Sequence, residues 1–123
     1  MVKQTITYYL LGRSAIAPAI TAARYQAVKR AGGRCELTGE GGDLDGHHLW
    51  DVSTFPWFAA KSWNIIMIKP SLHKEFHAWR GGTHKWCTPF HFWWWWWIAK
   101  HPIRTLAFAA LFIIATWEFY KWL

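Results

Sequence analysis

The chain is poor in acid and poor in cysteine. Seven Asp and Glu stand against fourteen Lys and Arg, which gives this 123-residue protein a net charge of +7. That imbalance suits a polyanionic partner, either nucleic acid or an anionic membrane face. Two cysteines, Cys35 and Cys87, cannot build a four-cysteine zinc ribbon or a disulfide-dense secreted scaffold. They read as reduced thiols in a cytosol-like compartment. The length excludes two full domains, and an apolar share of 53% excludes a disordered chain. No internal repeat is visible. What the chain has in excess is tryptophan: twelve, five of them consecutive at 93–97.

The charges divide the chain into three segments. Residues 1–33 are basic and contain no acid, and residues 36–51 hold five of the seven acids. Residues 91–123 are dominated by aromatic and aliphatic side chains. In the first segment, residues 5–11 are apolar and β-rich without committing to a state. Pro18 has the place of a first-turn helix residue. Ile20, Ala23, Ala27, Val28 and Ala31 recur at helical spacing after it, and Gly32-Gly33 ends the helix. An acid-free start bearing arginines is also what an organelle transit peptide shows, but this helix runs straight into the next motif.

In the middle segment, 34–90, residues 34–38 and 44–49 flank the glycines of 39–42 and predict a β-hairpin. Residues 51–62 read as a loop around Pro56, and 64–69 as a short strand. Pro70 opens a helix to about Trp79, closed by Gly81-Gly82. On that helix His73 and His77 are four residues apart, one above the other, so the two can grip one cation. A third ligand from a neighbouring strand would leave coordination positions open for water and substrate. Neutral imidazoles suit a borderline transition metal, while a phosphate could supply hard oxygens to Mg²⁺. His47 and His48 are adjacent on the second predicted strand. Neighbours on a strand point to opposite faces, so the two need different jobs unless the strand ends between them.

Over about residues 27–89 the sequence resembles the HNH, or ββα-metal, endonucleases. The resemblance is carried by Arg34-Cys35-Glu36-Leu37-Thr38-Gly39, then Asp45-Gly46-His47-His48-Leu49, then Asn64-Ile65-Ile66, then His73-Lys74-Glu75-Phe76-His77. Order and spacing are similar to the colicin-type DNases and the small bacterial and phage HNH proteins that lack a zinc ribbon. The resemblance implies an α+β fold with a small ββα-metal core at 34–90, to which the chain's own pattern adds a basic helix before it and a Trp-rich, membrane-associated helix after it. It implies one divalent ion, Mg²⁺ or Zn²⁺, held by His47, His73 and His77. His48 would be the general base that activates water, Asp45 would orient a histidine, and Asn64 would brace the loop. Non-specific DNA would be the substrate, since no element for reading base edges is evident. The chain departs from many members in having no CxxC pair and in its aromatic, apolar tail.

The remaining residues have plainer readings. His84 and His91 sit among aromatics and read as packed or interfacial. Cys35 and Cys87 read as small buried hydrophobes. Trp50, Trp57, Trp63 and Trp79 read as core or interface anchors. Lys61, Lys69, Lys74, Arg80 and Lys85 are ordinary solvated charges, placed to meet phosphates if they neighbour a metal site.

In the tail, Pro102 opens a stretch whose last 21 residues include sixteen apolar ones. As a helix it measures about 33 Å, which matches a hydrocarbon core of about 30 Å. Trp117, Tyr120 and Trp122 suit one interfacial belt and the 93–97 run the other. A single membrane span is the expectation, with a membrane-surface helix and a buried soluble helix as alternatives. Lys100, His101 and Arg104 precede the span, which puts residues 1–101 on the cytoplasmic side or its organellar equivalent. Two functions follow as expectations. One is a membrane-tethered HNH nuclease acting on DNA. The other is an HNH-fold accessory subunit of a photosynthetic or respiratory membrane complex, meeting its neighbours through 93–97 and 102–123.

Overall fold

A computed structural model describes residues 2–123 and shows a mixed α/β chain. Among the described residues there are five α-helices and one two-stranded antiparallel sheet. The elements run α1 (Val2–Leu11), α2 (Arg13–Ala31), β1 (Asp45–His48), β2 (Ile65–Ile68), α3 (Pro70–Arg80), α4 (Pro89–Trp94) and α5 (Pro102–Trp122). The chain divides after Pro89 into two compact units. Residues 1–33 and 34–89 therefore belong to one unit.

In the first unit, residues 5–11 lie in α1. Gly12, at φ 83°, separates α1 from α2. Pro18 is not in the first turn of α2: the helix begins at Arg13 and Pro18 lies within it. A proline there has no N–H to return to Ser14, so α2 gives up one ladder bond. At the other end Gly32 takes a left-handed conformation, and the Gly32 and Gly33 N–H groups donate to the Lys29 and Val28 carbonyls at 3.1 and 3.2 Å. That closure satisfies two of the orphan carbonyls at the helix end.

The predicted hairpin does not form. Residues 34–38 are a turn, and β1 pairs with β2 instead, with His47 opposite Ile66 and His48 opposite Ile65. The physical reason lies in the local hydrogen bonds. The Cys35 N–H donates to Glu40 O and the Gly39 N–H to Cys35 O, both at 2.8 Å, and these bonds curl the segment on itself. Glu36 alone reaches the sheet: its N–H donates to Met67 O and its carboxylate accepts from Met67 N–H, each at 2.8 Å. Arg30 of α2 locks the same turn. Its guanidinium grips Glu36 with two bonds of 2.9 and 2.8 Å and donates to the Ser62 and Ile65 carbonyls.

β2 is buried on both faces, as its unbroken Ile-Ile-Met-Ile run requires. Ile65 and Met67 pack with Ala23 and Ala27 of α2. The Ile65 and Met67 side chains each contribute about 1.5–3 kcal/mol when fully buried. Gly46 permits the close approach on that face, because a Cβ there would lie 3.1 Å from Ile65 and 3.6 Å from the Arg24 guanidinium. A second cluster joins Ile16 of α2 to Val52 and Ala59, which fastens the 49–63 loop to α2. Within that loop the rings of Trp50, Phe55, Trp57, Phe58 and Trp63 touch in sequence. Trp63 and Trp79 are 54% and 43% exposed, so neither anchors the core.

The second unit, residues 90–123, continues α4 into a wide π-turn, Trp95–Ala99, and then α5. Trp94 meets Phe108 edge to face at 5.1 Å, and Arg104 lies 5.2 Å over the Trp97 ring. α5 is long and apolar enough to cross a membrane, and none of its residues is buried. Apolar side chains cover all of its faces, so water offers this helix no favourable orientation.

Candidate metal centre

Strand alternation and helix periodicity together assemble the site. Asp45 and His47 are two residues apart on β1 and share the face turned toward α3. On α3, His73 and His77 stand one turn apart on the side that meets this face. The result is a three-imidazole cluster whose ligand nitrogens all lie within 4.8 Å of one another. The His47 ring centroid is 5.3 Å from that of His73 and 5.4 Å from that of His77, and Phe76 packs edge-on against His47 at 4.8 Å. His47 is only 3% exposed, whereas the two helix histidines are half-buried.

The hydrogen bonds fix the donor atoms. Asp45 Oδ2 accepts from His73 Nδ1 at 3.0 Å, which leaves the His73 Nε2 lone pair for the centre of the cluster. The Nε2 atoms of His73 and His77 are 3.0 Å apart. Two nitrogens on one tetrahedral zinc, with bonds of about 2.0–2.1 Å, would be about 3.3 Å apart. Burial pushes His47 well below the ordinary histidine value of 6.5, and the neighbouring imidazoles push it further. Burial and His73 lower His77 as well. Both shifts favour the neutral form of imidazole that binds metal, and the donor set fits a divalent ion.

His48 faces away from the cluster. Its Nε2–H donates to the Ala59 carbonyl at 2.9 Å, which leaves Nδ1 as the unprotonated nitrogen. Burial is the largest influence on His48 and lowers its pKa; the Ala59 bond opposes the shift and the Arg13 charge adds to it. Asn64 is fully buried where the 49–63 loop rejoins β2. Its Oδ1 accepts from Trp50 N–H at 2.7 Å, and its Nδ2 donates to Trp50 O at 3.0 Å and Phe58 O at 3.2 Å. Asn64 thus holds both ends of the loop that carries the Ala59 carbonyl to His48.

All four histidines open on one cavity of about 430 Å³. Of the other residues that line it, the sequence reading places only Lys85, conditionally, beside a metal site. Arg13, at the start of α2, lines the cavity with its charge near His48, and no periodicity or motif marks it. Lys85 and His84 contribute from the loop after α3. Cys87, expected as a small buried hydrophobe, is buried but turns its sulfur to 3.9 Å from His47 Nε2. Burial, with the Asp51 carboxylate adding, pushes that thiol up to about 12 against a smaller opposing effect of Arg80. Cys35 lies in the 34–40 turn. There burial raises its pKa, but hydrogen bonds from Thr38 and from backbone groups outweigh that effect and lower it. His91, by contrast, belongs to the second unit.

No protein-family model matches the chain, and neither a curated protein nor a solved structure matches it.

Proposed function

We propose that the protein is a membrane-anchored, metal-dependent endonuclease of the HNH type that hydrolyses DNA phosphodiester bonds. One observation carries the reading: an imidazole tied to a backbone carbonyl shares a single cavity with a three-histidine ligand set. His47, His73 and His77 would hold the ion, and Asp45 keeps His73 in the tautomer that presents Nε2. The ion would supply charge neutralisation on the phosphate and leaving oxygens. His48 takes the proton from the attacking water at Nδ1, because Nε2 is committed to Ala59. Its lowered pKa keeps it unprotonated at neutral pH, as a base requires. Arg13 and Lys85 give the cavity rim the sign that a phosphate backbone needs, and the net charge of +7 adds long-range attraction. α5 would anchor the enzyme in a bilayer.

The test is plasmid nicking by the full chain in mild detergent. His48→Ala should slow nicking by on the order of 10²-fold or more while leaving metal affinity within a few-fold, because general-base help is worth about that much. Wild-type protein that never nicks with Mg²⁺, Mn²⁺, Ni²⁺ or Zn²⁺ refutes the nuclease reading. The exposed apolar surface of α5 favours a second reading, a non-catalytic accessory subunit packed against other membrane helices. Isolation within a stable multi-subunit complex, together with absent nicking, would favour it.

A further inference from the structure

The cavity contains one soft donor that the proposed hydrolysis does not use. Cys87 is 2% exposed and lies beside the most deeply buried ligand of the cluster, His47. Its backbone is pinned on both sides by one residue: the Cys87 N–H donates to Asp51 Oδ1 at 2.9 Å, and the Asp51 N–H donates to Cys87 O at 3.2 Å. The Cα is thereby held in place, and besides facing His47 the sulfur donates only a long bond, 3.5 Å, to the Thr88 carbonyl. The separation from Sγ to His47 Nε2 is 3.9 Å. A nitrogen and a sulfur bound to the same tetrahedral zinc, at about 2.0–2.1 and 2.3 Å, stand about 3.6 Å apart. Cys87 is thus a few tenths of an ångström from a ligand's distance to His47.

We propose that Cys87 is a fourth protein ligand recruited by thiophilic ions. Zn²⁺, Co²⁺ or Cd²⁺ draws the sulfur inward and completes a closed His₃Cys tetrahedron. Mg²⁺ and Mn²⁺, which prefer oxygen, leave the thiol intact and the remaining positions open. In the recruitment the S–H bond breaks and a sulfur–metal bond forms. The proton leaves to buffer and no electron is transferred. The inference rests on the three-histidine site and adds a choice of state to it. Four protein ligands leave no position for water or substrate, so the zinc-loaded form is structural and silent, and the form with a hard ion is the one that can turn over.

Cobalt is the probe, because its spectrum reports the ligands without any assay of activity. The full chain in detergent, given one equivalent of Co²⁺, should show the intense visible bands of tetrahedral cobalt and the near-ultraviolet thiolate-to-cobalt charge-transfer band. Cys87→Ser should lose the charge-transfer band, keep cobalt on the three histidines, and bind zinc more weakly. The loss should reach at least the roughly 10–100-fold that even an outer-shell partner commands. Cys35→Ser should keep the band. Wild-type protein that binds cobalt without the band, or a band that survives Cys87→Ser, overturns the fourth ligand and leaves the three-histidine site standing. Failure of the wild-type protein to bind cobalt at all overturns both.

Discussion

Asn64→Ala is the sharpest test of how the loop positions the base. The side chain is fully buried and makes three hydrogen bonds, all to backbone: one from Trp50 N–H, one to Trp50 O and one to Phe58 O. Alanine removes all three partners at once. A lost bond costs about 1 kcal/mol net, and an orphaned buried group about 1–3 kcal/mol. Trp50 and Phe58 are half-buried, so water can rescue part of the loss. The sum comes to about 3–5 kcal/mol, a large fraction of the roughly 5–15 kcal/mol that holds a domain together. For a unit of this size it lowers Tm by roughly 12–40 °C. Asn64→Asp should be no milder, because it sets a carboxylate against two carbonyl oxygens. Thermal unfolding of the full chain in detergent, followed by tryptophan fluorescence and near-ultraviolet circular dichroism, measures the effect. A Tm within a few degrees of wild type would show that the loop holds itself and that Asn64 braces nothing.

Three further predictions follow from the same geometry. Replacing both helix histidines, His73→Ala with His77→Ala, should abolish divalent-ion binding by calorimetry; full retention would place the metal elsewhere. In the presence of a chelator the protein should lose stability as pH falls below 6.5. His47, His48 and His77 are held below that value in the fold, so there the unfolded chain binds more protons, and above it the contribution is fully present. A melting temperature that stays flat or rises through that window would contradict the burial of these rings. Finally, the full chain should pellet with membranes and resist carbonate extraction, as an apolar, wholly exposed α5 requires; full-length protein in the supernatant as a monomer would exclude a span.

Much of the site could be read from spacing, because helix and strand periods are short-range properties. The four-residue step from His73 to His77 needs only a helix, and Pro70 and Gly81 mark its ends. Opposite jobs for His47 and His48 need only a strand. The strand's partner was the failure. Residues 34–38 look β-rich and lie close in sequence, yet pairing was decided by hydrogen bonds within the turn and by the Arg30–Glu36 clasp, neither of which has a periodic signature. Pro18 misled for a related reason. A proline marks a helix start only on average, and here the break at Gly12 sets the boundary. Arg13, the Ala59 carbonyl and Cys87 were illegible for a third reason. They reach the cavity through tertiary packing, of Ile16 on Val52 and Ala59 in one case and of Asp51 on Cys87 in another.

These supports also divide the site into two halves that can be perturbed separately. The ligand half is built by α3 and by the face of β1 that carries Asp45 and His47, and an outer bond runs from His73 to Asp45. The base half is built by the 49–63 loop, through Asn64 and the Ala59 carbonyl. Asn64 bonds to Trp50 and Phe58 and Asp45 to His73, so the two act through different neighbours. Residues without shared partners usually give additive effects. Asp45→Asn should therefore weaken metal binding by roughly 10–100-fold, nearer the lower figure because the Asp45 carboxylate is 42% exposed. Changes at His48 or the loop should leave the metal in place and remove the base. A protein whose fold served only to hold a structural ion would require the first half and the Asn64 brace, and be indifferent to the His48 imidazole. His48 is therefore where the nuclease and accessory-subunit readings part.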